Sequence, residues 1–112
     1  MTLTNGEIAH RIHLLRQSTL PRDRKLVKEL LKLQEQRTRL FRGLLAHGDV
    51  ENLRMFLNDQ GFNPSVHMND DKVWVEPNFL VWDCRRTGMG ATVRGALIDF
   101  IRNNFTEKGY PR

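Results

Sequence analysis

Six cations, Arg24, Lys25, Lys28, Lys32, Arg39 and Arg42, recur at a spacing that puts them on one face of a helix. At 100° per residue they fit within about 100° of arc, and at 1.5 Å per residue the row is about 27 Å long. The chemistry open to such a row is phosphate neutralisation. Each contact releases a condensed counterion, so affinity falls steeply with salt. A solvated face is the competing reading: Glu29 can pair with Lys25 or Lys32, and Glu35 with Lys32 or Arg39, at i±3 or i±4.

A second cationic set, Arg85, Arg86 and Arg94, surrounds Gly88-Met89-Gly90 and is expected to form a second phosphate anchor. Glycines leading into a helix N-terminus can present backbone N–H groups to an anion. The segment is neither a P-loop, since it lacks Gly-Lys-Ser/Thr, nor a dinucleotide fingerprint, since it lacks the third glycine. A plain strand-to-helix connection explains the two glycines equally well.

The remaining reactive residues are sparse. His10 and His13 lie three apart with no third ligand at metal spacing. Cys84 sits beside Arg85 and Arg86 but has no assignable base. Trp74, Phe79 and Trp82 could stack on bases or pack across a hairpin. We therefore expect no catalytic residue, no metal and no cofactor, and a non-enzymatic protein.

The charge is unevenly shared. Residues 1–47 hold ten Lys and Arg against four acids, a net of +6, while residues 48–112 hold eight against nine. The overall +5 belongs to the first half and favours an acidic partner, nucleic acid before any other. A single cysteine excludes an internal disulfide. The absence of an apolar run of about 18–20 residues argues against a membrane span, and the N-terminus carries no uninterrupted signal-like stretch. The expected location is intracellular, cytoplasm or nucleus.

These residues need elements to position them. Thr4-Asn5-Gly6-Glu7 has capping-box spacing and opens a first helix to about Gln17. Pro21 suits the first turn of a second helix that runs to about His47, where Gly48 stops it. The polar stretch Gln34–Thr38 contains no Gly or Pro, so one long helix is expected. Arg37 falls about 120° from Lys25, inside the apolar face between Leu30 and Leu44, and must reach a carboxylate, a partner or solvent. Asp49 or Gly48 caps a third helix that ends at Gly61. Ser65–Met68 is a short extended piece and Asn69-Asp70-Asp71 a polar loop. Val73-Trp74-Val75 and Phe79-Leu80-Val81-Trp82 flank Glu76-Pro77-Asn78 as a hairpin. Ala91–Phe105 is a last helix. The domain reading is a basic helical region over 1–47, a small unit over 48–106 packed with it, and a frayed tail over 107–112.

Residues 49–106 resemble a double-stranded-RNA-binding domain of αβββα order. Leu53, Phe56, Gly61 and Pro64 match its first helix and exit, Phe79 and Val81 a strand, and Gly88, Gly90, Thr92, Arg94 and Ala96 its Gly-x-Gly-x-Ser-Lys-Lys-x-Ala run. Val93 and Leu97 stand where that family usually carries Lys, and acidic Asn69-Asp70-Asp71 replaces its Gly-Pro-x-His loop. The resemblance implies duplex RNA, gripped at the start of the last helix, by the first helix and by the loop between the first two strands. Residues 48–64 also resemble part of an ankyrin repeat.

The fold class expected is α+β: an N-terminal helical hairpin or arm, then a helix, a short β-hairpin sheet and a C-terminal helix. The function expected is phosphate-backbone recognition of nucleic acid, RNA ahead of DNA. The alternative is a protein-interaction or homodimerisation module, adaptor or regulatory, that uses the apolar face of the second helix. There Leu26, Leu30, Leu33, Arg37, Leu40 and Leu44 follow a heptad-like series, with Arg37 as a register or partner selector.

Overall fold

Local signals set the helix ends. Glu7 N–H donates to Thr4 Oγ1 at 3.1 Å, and Thr4 N–H donates to Glu7 Oε1 at 3.2 Å, completing the capping box of α1 (Asn5–Arg16). Pro21 opens α2 (Pro21–His47), which passes through Gln34–Thr38 without a break for 27 residues, about 40 Å. Asp49 accepts from Asn52 N–H at 2.8 Å to start α3 (Val50–Asp59). The computed structural model describes residues 3–77 and 86–112.

Three antiparallel strands follow α3 in the order β1 (Ser65–Asn69), β2 (Lys72–Glu76), β3 (Gly88–Gly90), and α4 (Val93–Asn104) closes the unit. The result is an α+β arrangement in which helices flank a small three-stranded sheet. After α3 the chain enters a strand, not the second helix that an ankyrin repeat requires.

The hairpin is placed differently from expectation. It joins β1 to β2 around Asp70-Asp71, with Asp70 in the left-handed region at φ 44°. Val73, Trp74 and Val75 are paired on one edge with Met68, His67 and Val66, and on the other with Gly90, Met89 and Gly88. The second arm expected for the other hairpin, Phe79–Trp82, lies outside the described residues. Acidic Asp70 tolerates the αL turn better than most residues. The alternation of β2 then sends Val73 and Val75 inward and leaves Trp74 on the other face.

Gly88 belongs to this packing. A Cβ there would come within 2.5 Å of Ala96 O and Phe100 Cα and would also strike Phe100 N, so β3 presses its backbone directly onto α4. Met89 N–H is likewise engaged, donating to Asp99 Oδ2 at 2.8 Å.

The core is built on phenylalanine. Phe56 and Phe105 centroids lie 5.2 Å apart, Phe62 and Phe105 4.8 Å, and Phe41 and Phe56 5.2 Å. Phe100 meets Phe62 edge-on. Leu53 and Leu57 of α3 and Leu97 and Ile101 of α4 are fully buried around these rings. Phe41, 3% exposed, is the one buried residue of α2 and anchors that helix to the core.

Upstream of Phe41, α2 leaves the core and pairs with α1, which buries Ile8 and Ile12 in a separate small contact. The two helices form an arm. The Cα radius of gyration is 16.0 Å, against about 13 Å for a compact chain of this length, and the molecule is 58 Å long.

The tail is ordered, contrary to the expected fraying. Thr106 N–H donates to Tyr110 O, Arg112 N–H donates to Asn104 O, and Phe105 bridges to Pro111. Gly109, at φ 90°, is buried against the Phe41 ring, where a Cβ would lie 2.8 Å from Cγ. Thr38 Oγ1 donates to Lys108 O at 3.0 Å, which ties the tail to the middle of α2. Backbone pairing and an aromatic seat outweigh the polar composition of these residues.

Candidate nucleic-acid interface

Because α2 is continuous, the six cations of the row share one frame. Arg24, Lys25, Lys28, Lys32, Arg39 and Arg42 are all exposed. Arg39 Nη2 meets Glu35 Oε1 at 3.0 Å, a pair exposed on both sides and therefore weak. Among the described residues no ion pair engages the other five, and Glu29 pairs with neither Lys25 nor Lys32. The row is thus a run of exposed, mostly unpaired charge on α2, with Arg39 at the edge of the groove between α2 and α3.

Arg37 departs from that row. Its Nη1 donates to the Leu3 carbonyl, and to Asn5 Oδ1 at 3.0 Å. Neither a carboxylate nor a partner subunit is needed to satisfy it. Asn5, 2% exposed, also donates from Nδ2 to Gly109 O at 2.8 Å and from its backbone N–H to Gln60 Oε1 at 2.7 Å. One buried asparagine, through its side chain and its backbone N–H, therefore joins the arm, the end of α3 and the tail. Sequence spacing places Arg37 on an apolar face but carries no signal for an acceptor 32 residues away.

The structure places Arg86 and Arg94 at opposite ends of α4. Arg94 Nε donates to Gly48 O at 2.8 Å and its Nη2 to Leu45 O at 3.2 Å, capping the C-terminal end of α2. Its positive charge sits where the helix dipole is negative. Arg86 is held at the opposite end of α4: Asn104 Oδ1 accepts from Arg86 N–H at 2.9 Å, and Asn104 Nδ2 donates to Arg86 O at 2.7 Å. Arg86 is exposed. Arg85 and Cys84 lie outside the described residues. Val93 is half-buried against the core and Leu97 fully buried, so the positions where the RNA-binding family carries Lys serve packing here.

The residues expected at a partner interface divide in two. Leu40 is 73% exposed, Leu30, Leu33 and Leu44 are half-buried, and Arg37 is tied to α1. Leu40 and Leu44 also line an open groove of about 950 Å³ between α2 and α3, whose other apolar lining is Leu3, Phe41, Met55 and Phe56 and whose charged lining includes Arg37, Arg39 and Asp59. Periodicity alone does not show this groove, because α3 supplies one wall of it.

On the outer face of the sheet, His67 stacks on Trp74 with ring centroids 5.4 Å apart and 18° between planes. Glu76 fixes both rings, accepting from Trp74 Nε1 at 3.0 Å and lying 3.4 Å from His67 Nε2. Met89 is the cross-strand neighbour of Trp74 and is 58% exposed. The sequence reading assigned Trp74 to a different hairpin and so missed this cluster.

No group of three or more potential metal ligands occurs among the described residues, and none of their helices is long and apolar enough to cross a membrane. Comparison with protein families, curated proteins and solved structures finds no match to this chain.

Proposed function

We propose that this protein binds nucleic acid, chiefly duplex RNA, by laying the basic face of α2 along the phosphate backbone. The observation that carries the reading is the row itself: six exposed cations in one frame about 27 Å long, of which Arg39 alone is ion-paired. The αβββα order of residues 50–104 favours RNA by resemblance. The grip differs from that family's. Arg94 is committed to the end of α2, Val93 and Leu97 face the core, and the β1–β2 turn is acidic. The arm takes over the electrostatic role.

Its width bears on specificity. The major groove of A-form RNA is too deep and narrow for side chains to read, and a two-helix arm of about 20 Å is too wide even for the major groove of B-DNA, about 12 Å. The arm then lies across the backbone and base edges go unread, so affinity depends on phosphate count and duplex shape more than on sequence.

Fluorescence anisotropy of matched duplex RNA, duplex DNA and single strands across a salt series tests the proposal. Six phosphate contacts give a log–log slope of about −5 on duplex DNA. Lys28→Glu, Lys32→Glu and Arg39→Glu together abolish binding while the circular dichroism spectrum stays unchanged. A folded triple variant that binds at wild-type affinity removes this reading.

A further inference from the structure

We propose that two copies of this chain pair antiparallel along α2, the arm tip of each seated in the α2–α3 groove of the other. The argument begins with Leu26, Leu33 and Leu40, spaced by seven residues. On the helical wheel they fall within about 40° of one another, at 60–100° from Lys25, with Leu44 alongside. This stripe lies beside the surface covered by α1. Leu26 is 46% and Leu40 73% exposed.

The stripe is a palindrome. Leu33 is one residue from the midpoint of α2, which runs from Pro21 to His47. A twofold axis at Leu33 sets Leu33 against its copy and Leu26 against Leu40 of the partner. A twofold interface must be self-complementary in this sense.

The two ends of the stripe are complementary in shape. At the N-terminal end, Leu14, Leu20 and Leu26 stand 46–52% exposed around the arm tip, an apolar knob with nothing over it among the described residues. At the C-terminal end lies the groove lined by Leu3, Leu40, Leu44, Met55 and Phe56. The antiparallel operator brings each knob to the other copy's groove and closes the assembly at two.

Charge agrees with the pairing. Residues 10–32, the outer part of the arm, hold seven Lys and Arg against two acids, four of the seven belonging to the basic row, whereas α3 and its N-cap hold Arg54 against Asp49, Glu51 and Asp59. Arg11, Arg16 and Arg22, the tip cations outside the basic row, are left to meet Glu51 and Asp59; Asp59 lines the groove together with Arg37 and Arg39, which Asn5 and Glu35 already engage. The contact is about 40 Å long and about two helix diameters wide, roughly 800 Å² per protomer, the size of a standard stable interface. Arg24, Lys25, Lys28, Lys32 and Arg42, centred about 130° around α2 from the stripe, stay on the outer flanks, while Arg39 lines the groove, so pairing leaves five of the six cations to phosphate.

Sedimentation equilibrium of the full chain without nucleic acid, over a micromolar concentration series, tests the pairing. The expected mass is twice the 13.1 kDa chain. Leu40→Glu and, independently, Met55→Glu alter exposed residues and are each expected to give a monomer with unchanged far-ultraviolet circular dichroism. Geometry is tested by oxidation in a Cys84→Ser background. Leu33→Cys is expected to cross-link with itself, Leu40→Cys alone to remain uncross-linked, and Leu26→Cys with Leu40→Cys to give a covalent dimer. A monomer at every concentration, a dimer indifferent to both Glu variants, an open-ended assembly, or efficient self-cross-linking of Leu40→Cys overturns the proposal.

Discussion

Asn5 Oδ1 accepts a hydrogen bond from the Arg37 guanidinium at 3.0 Å, while the same side chain donates to Gly109 O at 2.8 Å. The arm and the tail are thus referred to a single buried amide. Asn5→Ala strips one acceptor from a half-buried cation and one donor from a buried carbonyl. The expected loss is about 2–3 kcal/mol of stability, read as a lower urea midpoint. A midpoint equal to wild type would show that water replaces the amide at no cost.

Two glycines are predicted to respond oppositely to a methyl group. Gly43 lies in α2 with nothing within 4 Å of a built Cβ, so Gly43→Ala raises stability by about 1 kcal/mol through helix propensity. Gly88→Ala drives a Cβ into the backbone of α4 and lowers stability by about 3 kcal/mol or more. Thermal melts of the two variants, run side by side, check both signs.

Arg94 and Lys28 separate structure from binding. Arg94→Met removes two donors from the C-terminal end of α2 and costs about 1–2 kcal/mol, with the salt slope of nucleic-acid binding unchanged. Lys28→Ala leaves the melt unchanged and flattens the slope by about 1, because one phosphate contact is lost. The two variants exchanging these phenotypes would place the phosphate site on α4.

The Asp70 turn offers a fourth check. Asp70 sits at φ 44°, where glycine carries no Cβ penalty, and Asp70→Gly is expected to be neutral or mildly stabilising. Asp70→Val, β-branched at the same φ, is expected to cost about 1–2 kcal/mol. Chemical denaturation of both variants reads the difference.

Features encoded within a few residues were legible in the chain. The Thr4–Glu7 box, Pro21 at the head of α2, the unbroken passage through Gln34–Thr38 and the Asp49 cap all depend on neighbours at helical spacing. Contacts between distant segments were not. The partner of Arg37 lies 32 residues away and that of Thr38 lies 70 away. The sheet shows the limit most clearly. A Pro-Asn turn and an Asp-Asp turn both flank β2, and the choice between them depends on β3, which enters from beyond Thr87. For the candidate site, the row on α2 could be placed from spacing alone. The fate of Arg94 could not, because the carbonyls it reaches sit on another helix.

The clasp between Asn5 and Gly109 spans 104 residues of chain. During synthesis at about 5–20 residues per second, the first partner waits on the order of 5–20 s for the second. For that interval α1 and α2 exist as a nascent hairpin whose seal over Phe41 has not yet been made. Closing so long a loop is entropically late, so the arm is the last part of the molecule to become fixed in direction. A nascent chain caught at this stage should present its leucines to chaperones before it presents a finished surface to any ligand.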